Sequence, residues 1–208
     1  MTAEAAEAAE RTAADPDWEA LRRVAQGDVE AFAPVVERHQ GRLLRLCARL
    51  LHDADEARDA AQEVFLRAFR GAAGFQPGGR VFTWLYRIAV NHCLNRLRRR
   101  SLVRFLSLTP AEEEEPAFDP VDEAPDPARA LDAERRWRAT REQIGRLPAN
   151  QRVVVVLAKF EGLSYREIAG ILKTTEGAVE SRLVRAMRTL ARAQERGLSQ
   201  VSRKGAKS

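Results

Sequence analysis

The stretch SLTPAEEEEPAFDPVDEAPDP, Ser107 to Pro127, constrains the architecture more than any other. It holds five prolines, Pro110, Pro116, Pro120, Pro125 and Pro127, and an unbroken run of four glutamates. Proline removes a backbone donor and blocks helix interiors, like charges repel, and few apolar groups remain to offset the entropy of ordering. An extended acidic tether is expected here, with separate folded units on either side.

Charge marks the same division. Residues 21–110 carry sixteen basic against eight acidic residues, residues 111–134 one against ten, and residues 135–208 seventeen against six. Two basic blocks flanking an acidic one fit a polyanionic partner, and equally fit two solvated helical surfaces around a disordered connector. The start, MTAEAAEAAER, lacks the cationic-then-apolar pattern of a signal peptide. The longest apolar run, Val153 to Ala158, falls far short of the roughly 18 residues a membrane span needs. A cytoplasmic protein without direct membrane insertion is expected. Cys47 and Cys93 allow at most one disulfide, and with His39, His52 and His92 they form no close-spaced metal motif. No cofactor is implied.

Both blocks read as helical. Phe32, Val35 and Val36, then Leu43, Leu44, Leu46, Cys47, Leu50 and Leu51, then Val64, Phe65, Ala68 and Phe69 recur at helical spacing, and no strand alternation appears. GAAGFQPGG, Gly71 to Gly79, is expected to be a loop anchored by Phe75, followed by a helix from about Phe82 to Arg100. After the tether, a charged helix from about Ala128 to Arg146 precedes Pro148, which suits a first helical turn. The β-branched run Val153 to Val156 favours strand locally, but its helical neighbours and the stop at Gly162 point to a buried helix.

The segment LSYREIAGILKTTEGAVESRLVRAMRTL, Leu163 to Leu190, has helix-turn-helix geometry. Ser164 and Glu167 form a capping box for Tyr165 to Leu172, and Thr175 caps a second helix running to about Gln194. Ile168, Ala169 and Leu172 pack against Val179, Leu183, Ala186 and Leu190. Ser181, Arg185, Arg188 and Arg192 lie opposite Val179, and Gly177 and Ala178 keep the helix start slim. Such a helix enters a major groove with its N-terminal end at base edges and arginines on phosphates. The rival reading is an exposed basic helix.

Two surfaces of the first block stand out. In WLYRIAVNHCLNRLRRR, Arg87, Asn91, Asn95 and Arg98 fall on one side, with Tyr86, Ala89, Val90, Cys93, Leu94 and Leu97 on the other. Asparagine amides hydrogen-bond exposed base edges and arginines hold phosphate, although a solvated face has the same pattern. In DADEARDAAQEVFLRAFR, Asp55, Asp59 and Glu63 form an acidic ridge with Gln62 beside it. A DNA-binding surface avoids such a ridge, so a protein partner or a solvated face explains it better.

With these motifs, from about Ala25 to Gln194 apart from the tether, the chain resembles the extracytoplasmic-function (ECF) sigma factors of bacterial RNA polymerase. The carriers are DADEARDAAQEVFLRAFR, FTWLYRIAVNHCLNRLRRR, IGRLPANQRVVVVLAKFEGLSYREIAGIL and EGAVESRLVRAMRTL, in that order around an acidic linker. The resemblance implies an all-α protein of two small helical domains joined by an acidic proline-rich linker, the second domain a helix-turn-helix. The expected bounds are an acidic disordered tail (1–17), a region 2 domain (18–106), the linker (107–127), a region 4 domain (128–196) and a basic tail (197–208).

It also implies partners for each surface. Asp55, Asp59, Gln62 and Glu63 would bind the β′ clamp helices of the polymerase core. Arg87, Asn91, Asn95, Arg96, Arg98, Arg99 and Arg100 would hold the melted promoter −10 element. Thr175, Glu176, Gly177, Ala178, Glu180, Ser181, Arg182, Arg185 and Arg188 would read the −35 element while the domain sits on the β flap. An anti-sigma factor is a further partner the resemblance implies. Many relatives have threonine where Ala178 stands, lysine or arginine at Glu180, glycine at Lys173 and aspartate at Asn95. Glu180 either forgoes a phosphate contact or accepts from cytosine. A polymerase-independent helix-turn-helix regulator explains Leu163 to Arg192 but leaves the ridge and the Asn91 stripe idle. A nucleic-acid-processing enzyme finds no carboxylate cluster, phosphate loop or nucleophile motif.

Overall fold

The computed structural model describes residues 15–75, 80–107 and 139–205. Among these the regular structure is helical, with no strand. The chain divides into two compact units, Met1–Phe118 and Asp119–Ser208. The expected tether, save Ser107, lies outside the described residues, and so do residues 128–138, where a charged helix is expected.

The first unit opens with α1, Pro16–Ala25. This start lies inside the stretch expected to be tail. Proline suits the first helical turn, and Asp15 caps it, its side chain accepting from the Asp17 N–H at 3.0 Å. The other carboxylate oxygen of Asp15 accepts from the Val81 N–H at 3.1 Å and so ties two distant helix starts together. Asp17, only 5% exposed, pairs with Arg38 and with His39 Nε2 at 2.6 Å. That pairing across 21 and 22 residues is invisible to a local count of acidic residues.

A 3-10 turn, Glu30–Phe32, leads into α2, Ala33–Leu51, which ends on left-handed His52 at φ 57°. Asp53 caps α3, Ala54–Gly71, by accepting from the Glu56 N–H at 2.7 Å. After a second 3-10 turn, Ala72–Gly74, the long helix α4 runs from Val81 to Ser107. It continues beyond the expected end near Arg100, because LVRFLS holds no helix breaker and Pro110 is the first to follow.

Helices α2, α3 and α4 pack on one another. Leu43, Leu46 and Leu50 from α2 and Leu85, Tyr86 and Val90 from α4 are fully buried. Each such side chain contributes about 1.5–3 kcal/mol in area terms. Helix α3 presents mostly small groups, Ala57, Ala60 and Ala68 with Val64, all fully buried. Phe75 anchors its turn as expected, 5.5 Å from the Trp18 ring and 5.0 Å from that of Trp84. Trp84 therefore belongs to an aromatic cluster at the border of the polar stripe. Arg42 lies 4.4 Å over the Phe82 ring, covering it from solvent.

In the second unit, residues 139–145 are helical and α5, Ala149–Val155, follows Pro148, which sits at the cap just before the first turn. The valines at 153–156 are buried and helical, so tertiary burial overrides their strand preference. A π-helical turn, Val156–Phe160, completes the segment, and Gly162 turns the chain at φ 66°. Arg152, 9% exposed, donates to the Gly145 and Leu147 carbonyls at the end of the preceding helical segment. Helices α6, Tyr165–Leu172, and α7, Glu176–Gly205, complete the unit, with α7 packed on both α5 and α6. Ile168, Ala169 and Ile171 are buried, whereas Leu172, the expected third packing residue, is half-buried. Helix α7 runs past the expected end near Gln194 and into the expected basic tail.

Candidate nucleic-acid interface

The α6–α7 turn is built by local chemistry. Ser164 Oγ accepts from the Glu167 N–H at 3.3 Å while Glu167 Oε2 accepts from the Ser164 N–H at 2.9 Å, completing the capping box. Lys173 ends α6 in the left-handed region at φ 50°, the conformation glycine adopts at lower cost. Thr175 Oγ1 then accepts from the Ala178 N–H at 3.2 Å and starts α7.

Helix α7 divides by phase. Val179, Leu183 and Ala186 are buried, while Thr175, Glu176, Gly177, Glu180, Ser181, Arg185 and Arg188 are exposed. Ala178 and Arg182 are half-buried, at the edge of that face. Gly177, Glu180, Ser181, Val184, Arg185 and Arg188 line one shallow concavity. Arg185 is fixed along the helix, donating to Ser181 Oγ at 2.8 Å and to the Ser181 carbonyl at 3.2 Å. Val184, 43% exposed in this concavity, belongs to neither stripe, so residue spacing does not single it out.

On α4, Asn91, Asn95, Arg98 and Arg99 are exposed and Arg87 is half-buried. Asn91 makes no side-chain hydrogen bond among the described residues. Asn95 Oδ1 accepts from Arg98 at 3.2 Å, and its amide N–H groups have no partner among the described residues. Arg96 and Arg100 differ. Arg96 Nε lies 3.0 Å from Glu56 Oε2, and its Nη2 lies 3.9 Å from Asp59. Arg100 donates to Glu56 Oε1 at 3.1 Å and to the Leu51 carbonyl at 3.2 Å, and reaches Asp53 at 3.5 Å. These two arginines fasten α4 to the α2–α3 corner, and Glu56 and Asp53 are the residues that helical phase within one segment does not reveal.

The ridge on α3 is present as a surface. Asp55, Asp59 and Gln62 are exposed and Glu63 is half-buried. Arg58 pairs with Asp55, and Arg67 Nε donates to Glu63 at 2.7 Å, holding that carboxyl below the ordinary carboxylate range. Leu66, 48% exposed, extends the same face one turn past Gln62. The buried free thiols of Cys47 and Cys93 meet, and the hydrogen bond that the Cys93 thiol donates to Cys47, followed by burial, pushes the Cys93 thiol well up. No group of three or more metal-ligating side chains occurs among the described residues. No described helix is long and apolar enough to cross a membrane.

Comparison with known proteins fits this layout. Residues 35–103 match the family model for Sigma-70 region 2, and residues 137–190 that for Sigma-70, region 4. The RNA polymerase sigma-H factor of Pseudomonas aeruginosa is 36% identical over 183 residues, spanning 86% of this chain and 94% of that one. The ECF RNA polymerase sigma factor SigM of Mycobacterium tuberculosis is 36% identical over 176 residues, spanning 85% and 83%. The fold is similar to that of the sigma factor RpoE of Bartonella quintana, solved with the anti-sigma factor NepR, at a TM-score of 0.64 and 22% identity across 80% of this chain and 98% of that one. With a region 2 unit followed by a region 4 helix-turn-helix unit, and relatives matched over most of their length, the chain belongs to the ECF sigma factors, which recognise promoters with core RNA polymerase to initiate transcription.

Proposed function

We propose that the surfaces divide the sigma function as follows. Asp55, Asp59, Gln62 and Glu63 dock on the β′ clamp helices. Asn91, with Arg87, Asn95, Arg98 and Arg99, captures the separated −10 strand. The exposed face of α7 from Thr175 to Arg188 reads the −35 duplex while the second unit rests on the β flap. The linker of residues 107–127 runs between the region 2 and region 4 domains toward the RNA exit path. Arg96 and Arg100, engaged with Glu56, act by positioning the basic end of α4. Ala178 and Arg182, at the margin of the α7 face, play a supporting part.

The observation that carries this reading is the exposed amide of Asn91, unengaged among the described residues, on a helix whose opposite side is buried. A single-stranded base presents donors and acceptors on edges that such an amide matches. The protein works by positioning, without covalent chemistry of its own, in the cytoplasm, and its polymerase-binding surfaces are the ones an anti-sigma factor would cover. The test is Asp59→Lys with Gln62→Ala in the full chain. Core polymerase capture falls at least tenfold, on the order expected for central interface residues, while the circular dichroism spectrum is unchanged. Unaltered capture would assign the ridge to solvent.

A further inference from the structure

The α7 face carries a carboxylate where contact with a polyanion would favour a base. Glu180 is exposed and makes no ion pair or hydrogen bond among the described residues. It shares its concavity with Arg185 and Arg188, yet Arg185 is turned onto Ser181. One turn along the same side, Val184 is 43% exposed and fills no core. Across the concavity's open side, a Cβ at Gly177 would meet nothing within 4 Å.

A helix lying in a major groove brings these groups either to phosphate or to base edges. Phosphate repels an unpaired carboxylate. Guanine shows two acceptors, N7 and O6, and repels it too. Adenine offers its N6 amine beside the N7 acceptor, whereas cytosine offers its N4 amine with no acceptor alongside. The isopropyl group of Val184 matches the thymine methyl, the apolar feature of the groove. Residues four apart are neighbours on one helix face, which suits adjacent base pairs.

We propose that α7 reads a cytosine through Glu180 and a thymine on the neighbouring base pair through Val184, so that these two side chains set the −35 preference of this sigma factor. The inference rests on the assignment of α7 to the −35 duplex.

The experiment selects duplexes from a fully randomised DNA pool with the full chain bound to core polymerase, comparing wild type with Glu180→Gln, Val184→Ala and Arg185→Ala/Arg188→Ala. The wild type enriches an upstream motif containing cytosine beside thymine. Glu180→Gln changes that one column from cytosine to adenine, since glutamine pairs with adenine N6 and N7, and Val184→Ala flattens the thymine column by about fivefold. The double arginine variant weakens retention of every sequence. A motif unchanged by Glu180→Gln, with retention still dependent on the arginines, overturns the base assignment and leaves the −35 role standing. The absence of any upstream motif, or retention indifferent to the arginines, overturns the −35 role and the base assignment with it.

Discussion

Glu56 on α3 holds Arg96 on α4, with Oε2 3.0 Å from Nε, and its other oxygen receives Arg100. One carboxylate thus pins two guanidiniums, 23% exposed against 33% and 30%. Glu56→Gln leaves both cations without their main partner. At this intermediate exposure the loss is about 1–2 kcal/mol, between the values for surface and buried pairs. Urea unfolding of the full chain, followed by tryptophan fluorescence, measures it. An unchanged midpoint would mean that the pairs contribute nothing to the corner.

The capping box separates stability of the second unit from recognition. Ser164→Ala removes the acceptor for the Glu167 N–H and costs about 1 kcal/mol. Thermal unfolding of the second unit shifts downward, while the base preference of the remaining folded protein is unaltered. A changed preference without lost stability would place Ser164 in the interface.

Asn91→Ala tests the α4 stripe. The residue is exposed, so removal leaves the core intact. Open-complex formation, followed by permanganate reactivity of unpaired thymines, falls by about tenfold, on the scale of one or two lost base contacts. Core binding in the same preparation changes less than twofold, as expected for a surface site outside the interface. Equal losses in both would point to misfolding and withdraw the role given to Asn91.

Cys93 is fully buried and its thiol titrates well above the ordinary range, because Cys47 hydrogen-bonds it and burial disfavours the thiolate. The folded-state shift is upward, so the stability tied to this protonated thiol is full below the ordinary thiol value and is lost as pH rises beyond it toward the raised folded-state value. Iodoacetamide labelling followed by mass spectrometry checks this. Cys93 remains unmodified in native protein and reacts in denaturant, whereas labelling of the native protein at the rate of a free thiol contradicts the packing.

Much of this architecture is legible in the residues. The stripe of Val179, Leu183 and Ala186 and the Ser164–Glu167 cap depend on contacts within a turn or two, which spacing reports directly. The same holds for the exposure of Asn91 and Asn95 opposite Tyr86 and Val90. What spacing cannot report is pairing across the fold. Arg100 meets Glu56 over 44 residues and His39 meets Asp17 over 22, so neither pairing shows in residue spacing. Ile171 is buried where Leu172 is half-buried, because packing against the rest of the unit, not spacing within α6, decides which side of its apolar face is covered. Helix ends shift for a similar reason. α4 and α7 run on where no proline intervenes, although polarity alone suggests that they stop.

If this chain confers promoter-specific initiation on core polymerase, run-off transcription depends on it. Core polymerase is supplied with a promoter obtained by mapping transcript starts after induced expression, with and without the full chain. A discrete transcript is expected only when the chain is present, reduced by Asp59→Lys and by Asn91→Ala. Initiation that never depends on the chain, together with specific duplex binding by the chain alone, would contradict it.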